Sequence, residues 1–507
     1  MEAGWQPKPG DKFIRRHPLR AHPLRRALGA FGLFSAGYGN VGSSIYYALG
    51  LVALIALGAT PVVLVIAGIF FIFTALSYAE GTAMLPEAGG SASFARHGFN
   101  DLVGSIAGWA LAFSYIVTIA ISAYTAPAYL GYFWGALSEP AGGTIAAMGI
   151  VFFLMCLNIL GVKESSILNT AFAILDVLTQ ILIICLAILF IFAPHPEIFS
   201  GNVLANWPSA EGLILGIAIA TLAYTGVETV SQLSEEARRP RISAPRALIM
   251  MIAVVMVLFI GISVAAFSTM TPTEMATDWA RDPIAGIAAG LSATVVPAEV
   301  ATSGVAIAIL DGILQLLPIL VAILAATILI IATNAGLMGI SRLTFSLGRS
   351  QLVPLMLSRV HRKFKTPYRA IFLFSSVAIL LLVPGFLPKA FPNFFVILGS
   401  LYVFGSLLAF SLAHASIIRL RIKEPELSRP FKPRGNITIR GYELPLNAIL
   451  GVGVTGAIWL TVVMTQPYAC WIGLGWMALG FVVYVVFRRR KKLPLVKTAP
   501  EIKFPLE

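Results

Sequence analysis

The chain has 507 residues, of which 58% are hydrophobic and only 12% charged, and its mean hydropathy is +0.87. Soluble domains carry roughly 25% charged residues, so a soluble domain is excluded and a polytopic membrane protein is predicted. The net charge of +13 would indicate a nucleic-acid partner only if the basic residues shared one face; they fall instead in clusters between apolar runs, and none is expected.

Residues 1–26 are basic and Pro-rich and read as a cytoplasmic segment; the apolar run after them is span-length without a small-residue cleavage pattern, so no signal peptide is expected. That run, residues 27–51, carries Gly39-Asn40-Val41-Gly42-Ser43-Ser44 where a spanning helix is usually most apolar. In hydrocarbon, interrupted backbone survives only where protein buries it or where it lines a cavity, so the segment reads as a broken helix at a binding site. Spans follow at 61–85, 102–133, 143–160 and 166–193. Thr118 and Ser122 lie one helical turn apart on the third and, with Ser114, form a polar stripe.

The sixth span, 210–236, is interrupted near Tyr224-Thr225-Gly226 and then places Glu228 within the bilayer. An acid there costs on the order of 2.5–3.5 kcal/mol on insertion scales, which makes function its default reading. Spans at 246–270, 312–346, 368–385, 392–420, 443–465 and 468–488 bring the count to about twelve. Between the seventh and eighth, DPIAGIAAGLSATVVP is too short to span and is expected to lie across the outer mouth. Numbering the loops alternately puts every Lys and Arg except Arg281 and Lys389 on one side with both termini, so that side is cytoplasmic by the positive-inside rule. Spans one to five (27–193) and six to ten (210–420) superpose with the break in the first member of each set, and an odd number per set gives the copies opposite topology. The prediction is an all-α membrane protein built as a 5+5 inverted repeat, with an appendix of two helices (443–488) and a cytoplasmic tail (489–507).

Four stretches, in order, resemble the amino acid, polyamine and organocation transporter superfamily. They are SYAEGTAMLPEAGGSASFARHGF from Ser77, LAYTGVETVSQLSEEARRPRISAPRAL from Leu222, SRLTFSLGRSQLVPLMLSRVHRKFKTPYRAI from Ser341 and RIKEPELSRPFKPRGNITIRGYELPL from Arg421. The resemblance implies the leucine-transporter fold, alternating access, and an amino acid or related amine as substrate.

On this reading the half-helix beginning at Gly42, Ser43 and Ser44 receives a carboxylate at its N-terminus. The family's motif is similar to Gly-Ser-Gly, and Ser44 in place of the second glycine adds a side chain to the pocket. Carbonyls near Tyr224, Thr225 and Gly226 take the ammonium group, Tyr224 forms an aromatic wall, and Asn40, Thr118, Ser122 and Glu228 complete the substrate set. Glu228 either orders the broken helix or takes part in proton coupling. Asp176 falls where several proton-coupled relatives place a lysine. With Tyr38 and Val41 of the first break and Thr333 and Asn334 of span eight, it coordinates sodium, carries the coupling proton, or is neutralised by Gln180 and only holds spans together.

An enzyme is not expected: His414 is the only histidine in a span and has no metal-spacing partner, and no phosphate loop occurs. Cys156, Cys185 and Cys470 read as packing residues, and neither cofactor nor metal is expected. The function expected is that of an ion-coupled permease of the plasma membrane, using proton or sodium, with membrane lipids around it. The alternatives are a potassium-type cation transporter of the same superfamily, whose acids are replaced here by Asn40 and Ser114, and an amino acid exchanger.

Overall fold

A computed structural model of the chain describes residues 28–161, 166–192, 194–293 and 304–498. The basic segment 1–26 and the end of the tail lie outside the described residues. Among them, eleven helical stretches are long and apolar enough to cross a membrane. The first, Ala30–Met84, has 55 residues, more than twice what a hydrocarbon core of about 30 Å requires. Leu57, at φ 45° and ψ −126°, divides it into span 1 (30–56) and span 2 (Thr60–Met84), so twelve crossings result.

The others are span 3, Asp101–Leu130; span 4, Pro140–Leu160; span 5, Ser166–Ala187, continued by a π turn; span 6, Ala210–Gln232; and span 7, Pro240–Thr269. Span 8 runs Gly304–Arg349, span 9 Tyr368–Leu382, span 10 Phe394–Lys423, span 11 Leu446–Thr465 and span 12 Pro467–Arg490. The all-α polytopic fold expected from the sequence is the one observed. The one sheet among the described residues is a two-stranded hairpin, Asn436–Ile439 with Tyr442–Pro445, in a loop where the sequence reading placed no strand.

Span 3 starts under the Asn100 side chain, which accepts from the amides of Leu102 and Val103 at 3.0 and 3.1 Å. It is buried along almost its whole length between spans 8 and 10. Spans 1, 2, 6 and 7 pack on one another, and spans 11 and 12 sit at the rim with most of their surface outward. Two short helices, Pro272–Thr277 and Pro283–Ser292, cover one end of the second half of span 1. Gly50 permits this approach, since a Cβ there would lie 2.0 Å from the Ala280 carbonyl oxygen. The loop between spans 7 and 8 therefore caps one end of the bundle, with 294–303 outside the described residues.

Candidate functional site

The two interruptions differ in kind. Span 1 is α-helical over Ala30–Val41 and Ile45–Ala56, with a three-residue 3₁₀ turn, Gly42–Ser44, between them. Every residue of that turn keeps right-handed helical backbone, so the break expected from glycine and serine content is a tightening of the helix and no unwinding. Hydroxyls, not chain reversal, serve the Asn40 carbonyl: Ser43 donates to it at 2.8 Å, and Ser44 reaches it at 3.5 Å. Span 6 is properly broken. A 3₁₀ turn ends at Tyr224, Thr225 is extended at φ −81° and ψ 157°, Gly226 has φ +110°, and helix resumes at Glu228. Only glycine adopts that φ cheaply.

The two interruptions meet. A Cβ on Gly226 would stand 2.9 Å from Asn40 Nδ2 and 3.1 Å from Val41 Cγ2, and Asn40 Nδ2 donates to Thr229 Oγ1 at 2.9 Å. Glu228, fully buried, accepts from the Gly226 amide through Oε2 at 3.1 Å, while its Oε1 and the Oδ1 of Asn40 have no partner. Burying a carboxylate oxygen without a partner is costly, which makes this contact the candidate site.

The polar stripe of span 3 faces the same place. Ser122 and Ser44 lie around the Tyr47 hydroxyl, with Ser44 Oγ at 3.0 Å from it, and Thr118 and Thr225 lie around the Tyr402 hydroxyl of span 10. Thr118 and Thr225 also donate to the Ser114 and Leu222 carbonyls at 2.9 and 2.8 Å. Tyr78, Tyr115 and Tyr402, from spans 2, 3 and 10, lie in the neighbourhood of Glu228 with buried hydroxyls that have no partner. None of the three stood out in the sequence, because a tyrosine in an apolar run gives no signal until its neighbours are known.

Tyr224 is turned away from this contact. Its hydroxyl donates to the Leu64 carbonyl at 2.8 Å, and its ring packs between Phe71 and Phe259, so it fastens span 6 to spans 2 and 7.

Asp176 is buried in span 5 and holds span 1 from both sides of the turn. Tyr46 donates to Oδ1 at 2.5 Å, and Tyr38 and Gln180 donate to Oδ2 at 2.7 and 2.8 Å. Thr333 and Asn334 bond elsewhere. The Thr333 hydroxyl donates to the Leu329 carbonyl at 2.8 Å, and the Asn334 amide oxygen accepts from Asn158 in a short contact. Val41 is buried and packs its side chain toward Gly226. The five residues of the ion-coupling set are therefore divided, with Tyr38 alone bonded to Asp176.

The end of the bundle that carries the basic loops is latched. Glu235 pairs with Arg349 at 2.7 Å and accepts from the Ala88 amide at 3.1 Å; Glu236 pairs with Arg342 at 2.8 Å. Burial raises the Glu87 carboxyl, but the hydrogen bond and charge of His97, the Ser93 hydroxyl and the charge of Arg349 together bring it down to about 2.

A broken helix set against a tightened one around unpaired polar atoms is an arrangement that membrane transporters use for cargo sites. The family model for amino acid permeases matches residues 28–487, and the chain belongs to that family, within the superfamily its motifs resemble. It is 30% identical to the branched-chain amino acid permease BcaP of Bacillus subtilis over 92% of this chain and 94% of that protein. It is 27% identical to the methylthioribose transporter of Bacillus subtilis, over 95% and 99%. Against the low-affinity putrescine importer PlaP of Escherichia coli the figures are 24%, 87% and 88%. The protein is a multi-pass membrane transporter of a small molecule and no enzyme.

Proposed function

We propose that the protein is an ion-coupled amino acid permease of the cell membrane, with both termini cytoplasmic and the latched face inward. The observation that carries this reading is the contact of Asn40 with Gly226 beside the unpartnered oxygen of Glu228. The substrate carboxylate lies on the Gly42–Ser44 turn, and its ammonium group lies on the carbonyls near Thr225 and on Glu228, with Ser122 and Thr118 alongside. Spans 1–5 and 6–10 act as inverted repeats, and the bundle of spans 1, 2, 6 and 7 rocks against the rest. A ligand biases such a motion only through its different affinity for the two states, so the coupling ion must discriminate as well. Asp176 is the coupling residue, and a proton suits it better than sodium, since its oxygens are held by hydroxyl and amide donors while Thr333 and Asn334 bond elsewhere.

The name of the branched-chain amino acid relative supports a zwitterionic cargo, and that of the putrescine importer keeps amines in the test set. The experiment is uptake by reconstituted vesicles of labelled leucine, serine, glutamate, putrescine and rubidium, under imposed proton or sodium gradients. Accumulation of an amino acid driven by a proton gradient is expected. Rubidium uptake without amino acid uptake overturns the assignment in favour of cation transport, and uptake that requires internal amino acid and ignores both gradients replaces symport with exchange.

A further inference from the structure

Between the central contact and the latch lies a second group of buried polar atoms without partners. The short helix Ser91–Gly98, between spans 2 and 3, begins at Gly90, whose φ is +52° and which offers no side chain to cap the leading amides. Gly89, Gly90 and Ser91 are all buried. Facing this start is the last turn of span 6. A Cβ on Gly90 would stand 3.3 Å from Gln232 Nε2 and 3.8 Å from Ser231 Oγ. Gln232 is 1% exposed and neither of its amide atoms has a partner; Ser231, wholly buried, has an equally unpartnered hydroxyl.

Packing alone gives no reason for this arrangement. A glutamine used as a cap would bond the helix start it faces, and a glutamine used as glue between spans would bond the opposite span; this one does neither. The chemistry of the group is that of an anion site. A helix N-terminus supplies partial positive charge and amide donors, and Gln232 and the serines add neutral donors that can turn toward an oxygen. Two acids of the neighbouring loops are already engaged: Glu87 by Ser93 and His97, Glu235 by Arg349 and the Ala88 amide. Glu228 lies four residues before Gln232 on the same helix, a rise of about 6 Å.

We infer that the start of the Ser91–Gly98 helix, with Ser231 and Gln232, is a second, inner station for the carboxylate of the transported amino acid, occupied as the Glu235–Arg349 and Glu236–Arg342 pairs part. This rests on the amino acid reading above. A zwitterion that has left the first turn sets its carboxylate here while its ammonium group stays on the free oxygen of Glu228, so neither charge is abandoned between the central site and the cytoplasm. The latch covers the station directly, because the Ala88 amide held by Glu235 is two residues from Gly90.

The test uses the full chain with Cys156, Cys185 and Cys470 replaced by serine and Ser231→Cys introduced, in inside-out vesicles. It compares two thiol reagents of similar size, anionic sulfonatoethyl and cationic trimethylammonioethyl methanethiosulfonate, each normalised to its rate with a free thiol. The anionic reagent is expected to react at least about fivefold faster, the order of a helix-terminus effect on opposite charges. That preference should disappear when Gln232→Leu is added and survive Gln232→Asn. Arg342 and Arg349 are present throughout, so their contribution cancels in this comparison. Should Ser231→Cys not fold, Ser91→Cys reports on the same station. Equal rates, a cationic preference, no reaction, or an anionic preference indifferent to Gln232→Leu each overturn the station. None of these outcomes bears on whether leucine enters the central site, which the uptake panel reads separately.

Discussion

Tyr46 donates a 2.5 Å hydrogen bond to one oxygen of Asp176, and Tyr38, from the other side of the Gly42–Ser44 turn, donates at 2.7 Å to the other. A single carboxylate in span 5 thus bridges both halves of span 1 at the point where that helix tightens. Any change in the proton load of Asp176 is felt directly by the turn proposed to hold the substrate. Asp176→Asn keeps the shape and replaces an acceptor oxygen by a donor facing the Tyr38 or Tyr46 hydroxyl. Accumulation against a gradient should be lost while exchange of labelled for unlabelled substrate persists; unchanged accumulation would refute the coupling role. Gly42→Ala should reproduce part of the defect without touching a titratable group, because its Cβ would lie 2.5 Å from the Tyr38 ring and push that donor away.

At the opposed break, Glu228→Gln keeps the bond to the Gly226 amide within reach of the amide oxygen and removes the charge from the unpartnered position. Weaker substrate binding or a displaced pH profile of uptake should follow, with little change in thermal stability. An unaltered pH response combined with a lower melting temperature would make Glu228 a scaffold. Gly226→Ala combines a positive φ, worth roughly 1–2 kcal/mol for an L-residue, with a Cβ placed 2.9 Å from Asn40 Nδ2. It should lose transport together with folded yield.

What the sequence made legible followed from composition and chain order. Twelve long apolar segments, a short helix capping one end of the bundle and the meeting of two interrupted segments could be read because hydrophobic length and misplaced glycine are local signals. The interruption in span 1 was overread, since glycine and serine permit unwinding without compelling it, and here Ser43 and Ser44 satisfy the backbone with hydroxyls instead. Adjacency to the break suggests that Tyr224 faces the ligand, yet it closes the 3₁₀ turn with its ring against Phe71 and Phe259. Side-chain direction at a break depends on two dihedrals that residue type does not reveal. The tyrosine ring around Glu228 was invisible for a related reason, as Tyr78, Tyr115 and Tyr402 come from three spans far apart in the chain.

Asp282 opens the helix Pro283–Ser292 that caps the bundle, and the Ile284 amide of that helix approaches the Tyr129 hydroxyl, which itself donates to the Tyr46 carbonyl at 2.8 Å. Burial raises the Asp282 carboxyl from 3.8 to about 6, against the opposing charge of Arg281. The folded state therefore holds this proton more tightly than the unfolded chain does. Its contribution to stability is complete below about pH 4 and is lost as the pH rises through about 6. Asp282→Asn should accordingly melt higher than the parent at pH 7.5 in detergent, with the difference closing at pH 4. A difference that persists at pH 4, or a lower melting temperature at pH 7.5, would show that the carboxylate is satisfied in the folded protein.

Span 2 is joined to span 10 by a polar seam whose strongest member is an ion pair. Thr74, Ser77 and Glu80 recur at three-residue spacing on one face of span 2. His414 contacts the first two at 3.2 and 2.9 Å, and Arg421, two turns further along span 10, grips Glu80 through two bonds of 2.7 and 2.8 Å. Both charged groups are almost wholly buried, and their second partners, Arg429 for Glu80 and Glu443 for Arg421, stand off at 3.8 Å, so removing one leaves the other poorly compensated. Glu80→Ala should therefore destabilise by about 3–5 kcal/mol, whereas Glu80→Leu with Arg421→Leu should recover most of that loss. The seam also constrains the motion. If spans 1, 2, 6 and 7 rock together, the inner half of span 10 must travel with span 2, because sliding would part a buried ion pair and both histidine bonds at once. Spin labels on the inner ends of spans 2 and 10 should keep their separation when substrate and a proton gradient are applied, while labels on the inner ends of spans 6 and 8, across the Glu235–Arg349 latch, should move apart. A change in the first distance as large as in the second would make the seam a breakable gate and would assign span 10 to the stationary part.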